Sequence, residues 1–405
     1  MKLSNEVELF SIGAIPSIGN YSTGGVIGLT DKGAAICRSL AEGDISEADA
    51  LSSDPQLINR LKQGQYLRGS ANRPSTIYRY KRAYLHVTER CNLSCRYCYS
   101  DSAQHSSLSD PSLPDIFSAL NVLGQLKVSR LIISGGEPFL RDDLAVICRQ
   151  AKQRNIARVE IITNGTVPLA RQLSSMKDEV DTIYVSFDGC SENDRAWLRG
   201  QQRFETLISA LKQILSFNVK PGIIATIHGR NYESIDHYRR LAESFNAALR
   251  LSLLVMRGRC DRSLCLSEDQ LIWLGGAEAA QDKKAQLQCR RSCGAGVTTL
   301  SVGANGNVYP CHMLHHKDYV FGNAYRDSVQ TIVTSKPAAL FRAINTKQFP
   351  SCRSCEHSYL CGGGCRARAL HANNSLISKD PYCPLFKAYY SDITHRLERR
   401  YLNRR

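Results

Sequence analysis

The chain reads as an α/β protein, with a parallel sheet and crossover helices set between a small N-terminal module and a cysteine-rich C-terminal stretch. Three observations predict this. From Ala83 to about residue 258, short apolar runs alternate with segments of helical periodicity, and that alternation argues a parallel sheet. Residues 1–70 are compositionally separate from the remainder of the chain. Half of the 16 cysteines fall beyond residue 288, in closely spaced groups.

A chain of 405 residues is long enough for a full core plus smaller modules. A disulfide-built secreted protein would be shorter and would open on a signal peptide. Met1-Lys-Leu-Ser-Asn-Glu-Val-Glu has no apolar h-region, and no apolar run is long enough to span a bilayer. The thiols are therefore expected to be reduced and metal-bound in the cytoplasm, with no membrane partner. The formal net charge of +15 suits an acidic or carboxylate-bearing partner.

In the N-terminal module, Val7–Phe10 and Val26–Leu29 read as strands around the turn-rich Gly19–Gly25. Thr30 is placed to cap a helix running through Leu40, with shorter helical patterns near Ser46–Leu51 and Pro55–Gln65. These helices carry Asp and Glu as often as Lys and Arg, which does not suit a nucleic-acid groove reader, so no nucleic-acid partner is expected. Residues 71–82 are a linker. The expected strands of the central domain are Tyr84–Val87, Leu131–Ile133, Val159–Ile162, Ile183–Ser186, Ile223–Thr226 and Leu249–Leu254. Helices are expected between them, at Leu113–Leu126, Asp142–Arg154 and Phe204–Phe217.

After the first of these strands stands Cys91-Asn-Leu-Ser-Cys95-Arg-Tyr97-Cys98. Iron–sulfur cubanes normally take four Cys thiolates, so three on one loop leave one iron of a [4Fe–4S] cluster open. The competing reading is a structural zinc loop, but zinc sites usually come as C-x2-C pairs with a second pair elsewhere. After the second strand comes Ser134-Gly135-Gly136-Glu137-Pro138, two glycines that permit close backbone approach and a carboxylate able to take an ammonium. Thr163-Asn164-Gly165 and Ser186-Phe-Asp188-Gly189 end the third and fourth strands, with Arg195 and Arg199 beyond them.

The C-x3-C-x2-C loop with its aromatic Tyr97, together with the Gly-Gly-Glu, resembles the radical SAM enzymes. The resemblance implies a partial (β/α)6 TIM-type barrel over residues 83–258, with the cysteine loop at its C-terminal mouth, where barrel enzymes keep their chemistry. It implies that the open iron is chelated by S-adenosylmethionine, whose methionine amino group meets the backbone of Gly135, Gly136 and Glu137. It places Ser186 near the ribose and Arg199 near the carboxylate, with Arg195 the alternative; a guanidinium is the natural partner there.

Cys289-x3-Cys293-x12-Gly306-x4-Cys311, then Cys352-x2-Cys355-x5-Cys361-x3-Cys365 and Cys383, match the SPASM extension of peptide-modifying radical SAM enzymes, with Cys289 as an eighth thiol. By that resemblance residues 259–385 hold two auxiliary clusters, the first on Cys289, Cys293, Cys311 and Cys365, the second on Cys352, Cys355, Cys361 and Cys383. Eight thiols complete two four-Cys sites, so both clusters are expected to be closed electron conduits. Three [4Fe–4S] clusters on eleven thiolates would carry about −5, leaving the holoprotein near +10. Residues 1–70 resemble the small winged-helix-like domain that recognises leader peptides. Of the other cysteines, Cys37 and Cys148 read as buried thiols, and Cys260 and Cys265 stand near the mouth. Residues 386–405 read as a solvated basic helix with Phe386, Tyr390, Ile393 and Leu397 inward.

The resemblance implies reductive cleavage of S-adenosylmethionine to a 5′-deoxyadenosyl radical, fed by a donor such as flavodoxin or ferredoxin. The expected substrate is a ribosomally made precursor peptide, crosslinked by a thioether or carbon–carbon bond. Sulfatase maturases carry an Asp where this chain has His312, and quinone-cofactor maturases replace an auxiliary cysteine by Asp. An electron carrier would have no use for Gly135-Gly136-Glu137.

Overall fold

The computed structural model describes residues 1–69, 79–102, 109–189, 204–285 and 287–403. They fall into two compact units, neither continuous in sequence. One gathers residues 1–77, 267–293 and 344–405; the other gathers 78–266 and 294–343. The stretch 259–385, expected as one C-terminal module, is thus divided between them. The 70–78 segment, most of the expected linker, lies outside the described residues.

In the first unit β1 (Val7–Ile12), β2 (Ile15–Asn20) and β3 (Val26–Gly28) form an antiparallel sheet in that order. The sequence reading has Gly19 and Asn20 in a turn; they belong to β2 instead. Asn20 is buried, and its amide donates to the carbonyls of Gly64 and Gln65 at 3.1 and 2.9 Å, so a residue that reads as turn-forming is satisfied inside the module. The Thr30 hydroxyl caps the helix Asp31–Glu42 by accepting from Gly33 N–H. Ser46 and Asp54 cap Glu47–Ser53 and Pro55–Gln63 in the same way. Ile18, Leu40, Ile58 and Leu61 fill the core between sheet and helices.

Also in this unit, the helix Glu268–Gln281 lies along the C-terminal helix Cys383–Leu402. Gly275 permits the approach, because a side chain there would overlap the Leu385 carbonyl. Tyr389 donates to Asp282 at 2.6 Å and Arg396 to the Ala279 carbonyl at 2.5 Å. The basic helix is therefore a packed element rather than a solvated one, with Leu385 and Ile393 buried and Phe386, Tyr390 and Leu397 half-buried.

The second unit is built on nine strands in the order β12-β11-β10-β4-β5-β6-β7-β8-β9. Six of them, β4 (Arg82–His86), β5 (Arg130–Ser134), β6 (Arg158–Thr163), β7 (Thr182–Phe187), β8 (Lys220–Ile227) and β9 (Ala248–Leu253), run parallel and cover the six expected runs. Helices Leu113–Gln125, Leu144–Gln153, Ala170–Met176, Phe204–Ser216 and Ile235–Ser244 intervene. The sheet curls. Arg250 of β9 reaches back to the buried Glu160 of β6 at 2.7 Å and stacks 4.0 Å over the Tyr184 ring of β7. Such contacts need the strands wrapped about a common interior, as in a partial barrel. The α/β barrel expectation is met, and the sheet extends further: β10 (Thr299–Val302) adds parallel to β4, and β11 (Asn307–Tyr309) and β12 (Gly322–Asn323) add antiparallel beyond it.

Candidate active site and auxiliary cluster site

The cysteine loop leaves the C-terminal end of β4, and the neighbouring strand ends grip it. Gly136 N–H donates to the Thr88 carbonyl and Glu137 N–H to the Arg90 carbonyl, both at 2.8 Å. Gly135, at φ +138°, and Gly136 make this possible, because a Cβ on either would overlap the Thr88 or Arg90 carbonyl. The close approach that the glycines permit is thus to the loop's own backbone. The Glu137 side chain, wholly buried, accepts from Phe139 N–H (3.0 Å), Thr163 Oγ1 (2.8 Å) and Asn164 N–H (2.7 Å). Its carboxylate joins the ends of β5 and β6. Asn164 continues the chain of contacts, donating to Asn92 Oδ1 at 2.8 Å and lying 3.9 Å from Cys91 Sγ.

The far side of the loop is held from beyond β9. Arg259 donates to the Cys95 carbonyl (3.0 Å), Asp101 (2.8 Å) and the Ser102 carbonyl (2.9 Å), and its backbone N–H to the Cys98 carbonyl. Gly258 stands at φ +61°, against that same carbonyl. Tyr97 is buried with Leu254 and Leu264, and Cys260 and Cys265 pack on this cluster. Cys91 and Cys95 are buried and Cys98 is half-buried. Burial pushes the Cys91 thiol up to about 11, with Glu137 adding to the rise and a Leu93 backbone N–H opposing it; a bound metal would deprotonate it.

The residues present fit an iron–sulfur cluster. The donors are three thiols with no carboxylate or imidazole among them, on a loop pinned on both sides. A cubane spreads its thiolates over separate irons, as three thiols on one loop allow. The mouth also fits a polar ligand. His86 ends β4 and His228 stands just past β8; each is buried with its Nε2 unpartnered among the described residues. Ser186 is buried in β7, and Asp188 just beyond it has its carbonyl held by Asn231 at 3.3 Å. Arg195, Arg199 and Cys190 lie outside the described residues.

A ring cluster closes the β4 side of the sheet. His312 stacks on Tyr84 at 3.8 Å and meets Tyr99 edge-on at 5.5 Å; His315 lies 4.7 Å from His86 and 4.2 Å from Tyr309. Arg257 holds the carbonyls of His312 and His315 at 3.3 and 2.8 Å. Burial pulls His86 down to about 4, with Arg257 adding to it.

In the other unit Cys352, Cys355, Cys361 and Cys383 line one cavity, beside His357, Lys379, Asp380 and Lys387. These are the four thiols that the sequence grouping puts in the second auxiliary site. Gly362, Gly363 and Gly364 all take positive φ, which lets Cys361-Gly-Gly-Gly-Cys365 fold back tightly. Buried Arg368 pairs with Asp380 at 2.7 Å, and Asp380 accepts from the Cys365 N–H at 2.6 Å, fixing the end of that turn. An all-Cys donor set around one cavity fits a cubane here too.

Arg259, His86, His228 and Asp380 do not stand out in the sequence. A histidine within the apolar run Tyr84–Val87 is a usable signal for His86. The grip of Arg259 on the loop has none, since 164 residues separate it from Cys95.

Residues 85–243 match the radical SAM superfamily, and residues 293–356 match the SPASM iron–sulfur cluster-binding domain. The chain is a radical SAM enzyme with a SPASM domain after the radical SAM domain in sequence, and its cofactors are [4Fe–4S] clusters and S-adenosylmethionine. Over 325 residues it is 28% identical to the mycofactocin maturase MftC of Mycobacterium tuberculosis, covering 73% of this chain and 81% of that one. The solved structure of native anSMEcpe with bound AdoMet superposes with a TM-score of 0.66 at 16% identity, over 80% of this chain and all of that one. Streptococcus suis SuiB bound to its precursor peptide SuiA gives 0.62 at 15%, over 94% of this chain and 99% of that one.

Proposed function

We propose that the chain is a peptide maturase, modifying a ribosomally made precursor peptide that it holds by a leader segment. The observation that carries this is the edge strand of the N-terminal sheet. Gly25 O accepts from Asn20 N–H and Leu29 N–H donates to Pro16 O. By the period of two along a strand, Val26 and Gly28 then turn their backbone groups to the other edge, where no strand pairs among the described residues. An unpaired edge is a template for an added strand. The mycofactocin maturase and the SuiA-bound SuiB support a peptide substrate, and the SuiB match must include most of the N-terminal module, since it spans 94% of this chain.

In this reading Cys91, Cys95 and Cys98 hold the catalytic cluster. Gly135, Gly136 and Glu137 offer backbone to the methionine end of S-adenosylmethionine, Ser186 and Arg199 meet its ribose and carboxylate, and Tyr97 packs the loop from behind. Bound there, cluster and cofactor supply a 5′-deoxyadenosyl radical able to take hydrogen from an unactivated carbon. The chain's part is positioning and exclusion of water. Gly136 and Glu137 fix the loop from the β5 side, Arg259 from the β9 side, and the rings of Tyr84, Tyr99 and His312 pack against one another beside the mouth. Three clusters are expected in all. By the resemblance, the second auxiliary one takes Cys352, Cys355, Cys361 and Cys383, and the first takes Cys289, Cys293, Cys311 and Cys365. A flavodoxin or ferredoxin in the cytoplasm supplies electrons, and the product is a thioether or carbon–carbon crosslink.

The test uses Val26→Pro, which removes an outward N–H that the sheet does not use. It should weaken binding of the precursor peptide at least tenfold and cut its modification in parallel, while 5′-deoxyadenosine formation without peptide stays within twofold of wild type. Unchanged peptide affinity would remove the edge from the account.

A further inference from the structure

Among the described residues, Cys37, Cys148, Cys260 and Cys265 stand outside the cluster motifs. The first two are wholly buried, and burial pushes both thiols up, Cys37 to about 12. Cys260 and Cys265 are different. Both are half-buried, and they flank one short turn, Cys260-Asp-Arg-Ser-Leu-Cys265, beyond β9. That turn is firmly held. The Asp261 carboxylate accepts from Ser263 N–H at 2.9 Å, and Cys265 N–H donates to the Arg262 carbonyl at 3.0 Å. Cys260 N–H donates to the Arg257 carbonyl at 3.2 Å, and the carbonyl of the buried Leu264 accepts from Gly229 N–H at 2.8 Å. The two cysteine side chains pack on the same cluster, Tyr97, Leu254 and Leu264, and their sulfurs meet. The Cys260 thiol has two acceptors, the Asp261 carbonyl at 3.7 Å and the Cys265 sulfur. That second hydrogen bond holds the Cys265 thiol below its ordinary value; Arg262 adds to the effect, while burial and Asp261 oppose it. Arg96 and Arg230 also act on this turn, through Asp261. Partial exposure in electropositive surroundings is what makes a thiol reactive.

We propose that Cys260 and Cys265 are a thiol–disulfide exchange pair, a reactive site apart from the clusters that takes a low-molecular-weight disulfide as co-reactant and closes as a Cys260–Cys265 bridge. Cys265 attacks first, because Cys260 donates to it and Arg262 faces it. Its thiolate adds to one sulfur of the disulfide, the S–S bond of the co-reactant breaks, and a first small thiol leaves. Cys260 then gives up its proton and attacks the Cys265 sulfur, forming the bridge and releasing a second small thiol. The two electrons and two protons taken from the pair leave on those thiols. Closure brings the sulfurs from hydrogen-bond contact to about 2 Å, and the packing on Tyr97, Leu254 and Leu264 already holds both side chains on one side of the turn. The residue before Cys260 is Arg259, which grips the cysteine loop at the Cys95 and Ser102 carbonyls, so the bridge forms directly behind that loop. The proposal needs neither the peptide substrate nor the auxiliary clusters.

The experiment exposes the anaerobic holoenzyme to glutathione disulfide, quenches free thiols with an alkylating agent, and maps the tryptic peptides by mass. Trypsin cuts after Arg259, Arg262 and Lys283, so a bridge joins the peptide Cys260–Arg262 to the peptide Ser263–Lys283. Wild type should yield that linked pair, release about two molecules of glutathione per bridge and return to free thiols with dithiothreitol. Cys260→Ser should stop halfway and keep glutathione on Cys265, since nothing remains to displace it. Cys265→Ser should take up glutathione at Cys260 about tenfold more slowly than Cys260→Ser does at Cys265. Free thiols at both positions, glutathione retained on either in wild type, or a bridge from one of them to any other cysteine would overturn the proposal. The wild-type map decides even if a variant does not fold.

Discussion

At Gly136 the missing side chain is what allows the Arg90 carbonyl to close on the strand end. Gly136→Ala must push the cysteine loop outward, an overpacking change of about 1–3 kcal/mol. The expected outcome is a chain that folds, loses iron from the loop and forms at least tenfold less 5′-deoxyadenosine, while the spectra of its auxiliary clusters are unchanged. Replacing Cys91, Cys95 and Cys98 together by Ala should leave the auxiliary irons in place and abolish 5′-deoxyadenosine; cofactor cleavage by that variant would mean the loop is misassigned. His86 carries a pH dependence. Its ordinary value is 6.5 and burial lowers it to about 4 in the folded chain. The folded state therefore holds it neutral, and acid favours the unfolded state, which takes the proton more readily. Stability from this group is full above pH 6.5 and falls between 6.5 and about 4, by roughly 3 kcal/mol at most. Thermal unfolding of the apoprotein should show a smaller acid slope in His86→Gln than in wild type.

Among the elements, those whose sequence signal is local were legible. Six apolar runs flanked by helical periodicity became six parallel strands, because each strand buried on both faces needs a continuous apolar run. Thr30, ahead of an amphipathic run, caps its helix. The cysteine loop and the Gly-Gly-Glu were placed on neighbouring strand ends by chain order alone, and they meet there. What was not legible depends on distant partners. Gly19 and Asn20 read as a turn, since nothing nearby announces that Gly64 and Gln65 will accept from the buried amide. The short strands β10–β12 carry too few residues for a period, and gain their place by pairing onto β4. The C-terminal helix, read as solvated, packs on the distant helix Glu268–Gln281. Gly275 is the hinge of that contact, and Gly275→Leu should lower the unfolding temperature by several degrees through overlap with the Leu385 carbonyl. An unchanged midpoint would show that the helices do not depend on close approach.

At the scale of the whole molecule, the cysteine loop lies in one compact unit, and the unpaired edge of β3 and the four-thiol cavity lie in the other. Among the described residues no helix is long and apolar enough to cross a membrane. The net charge of +15 stands before any cluster is counted, and bound thiolate clusters lower it, so the holoprotein should migrate as a less basic species than the apoprotein. The central claim is that the radical made at the cysteine loop takes hydrogen from a peptide. It is tested most directly with a candidate precursor peptide, synthesised with perdeuterated residues and incubated with the reduced holoenzyme and S-adenosylmethionine. The account predicts deuterium in the 5′-deoxyadenosine, in step with modification of the peptide and lost in Val26→Pro. Deuterium-free 5′-deoxyadenosine and an unaltered peptide would contradict it.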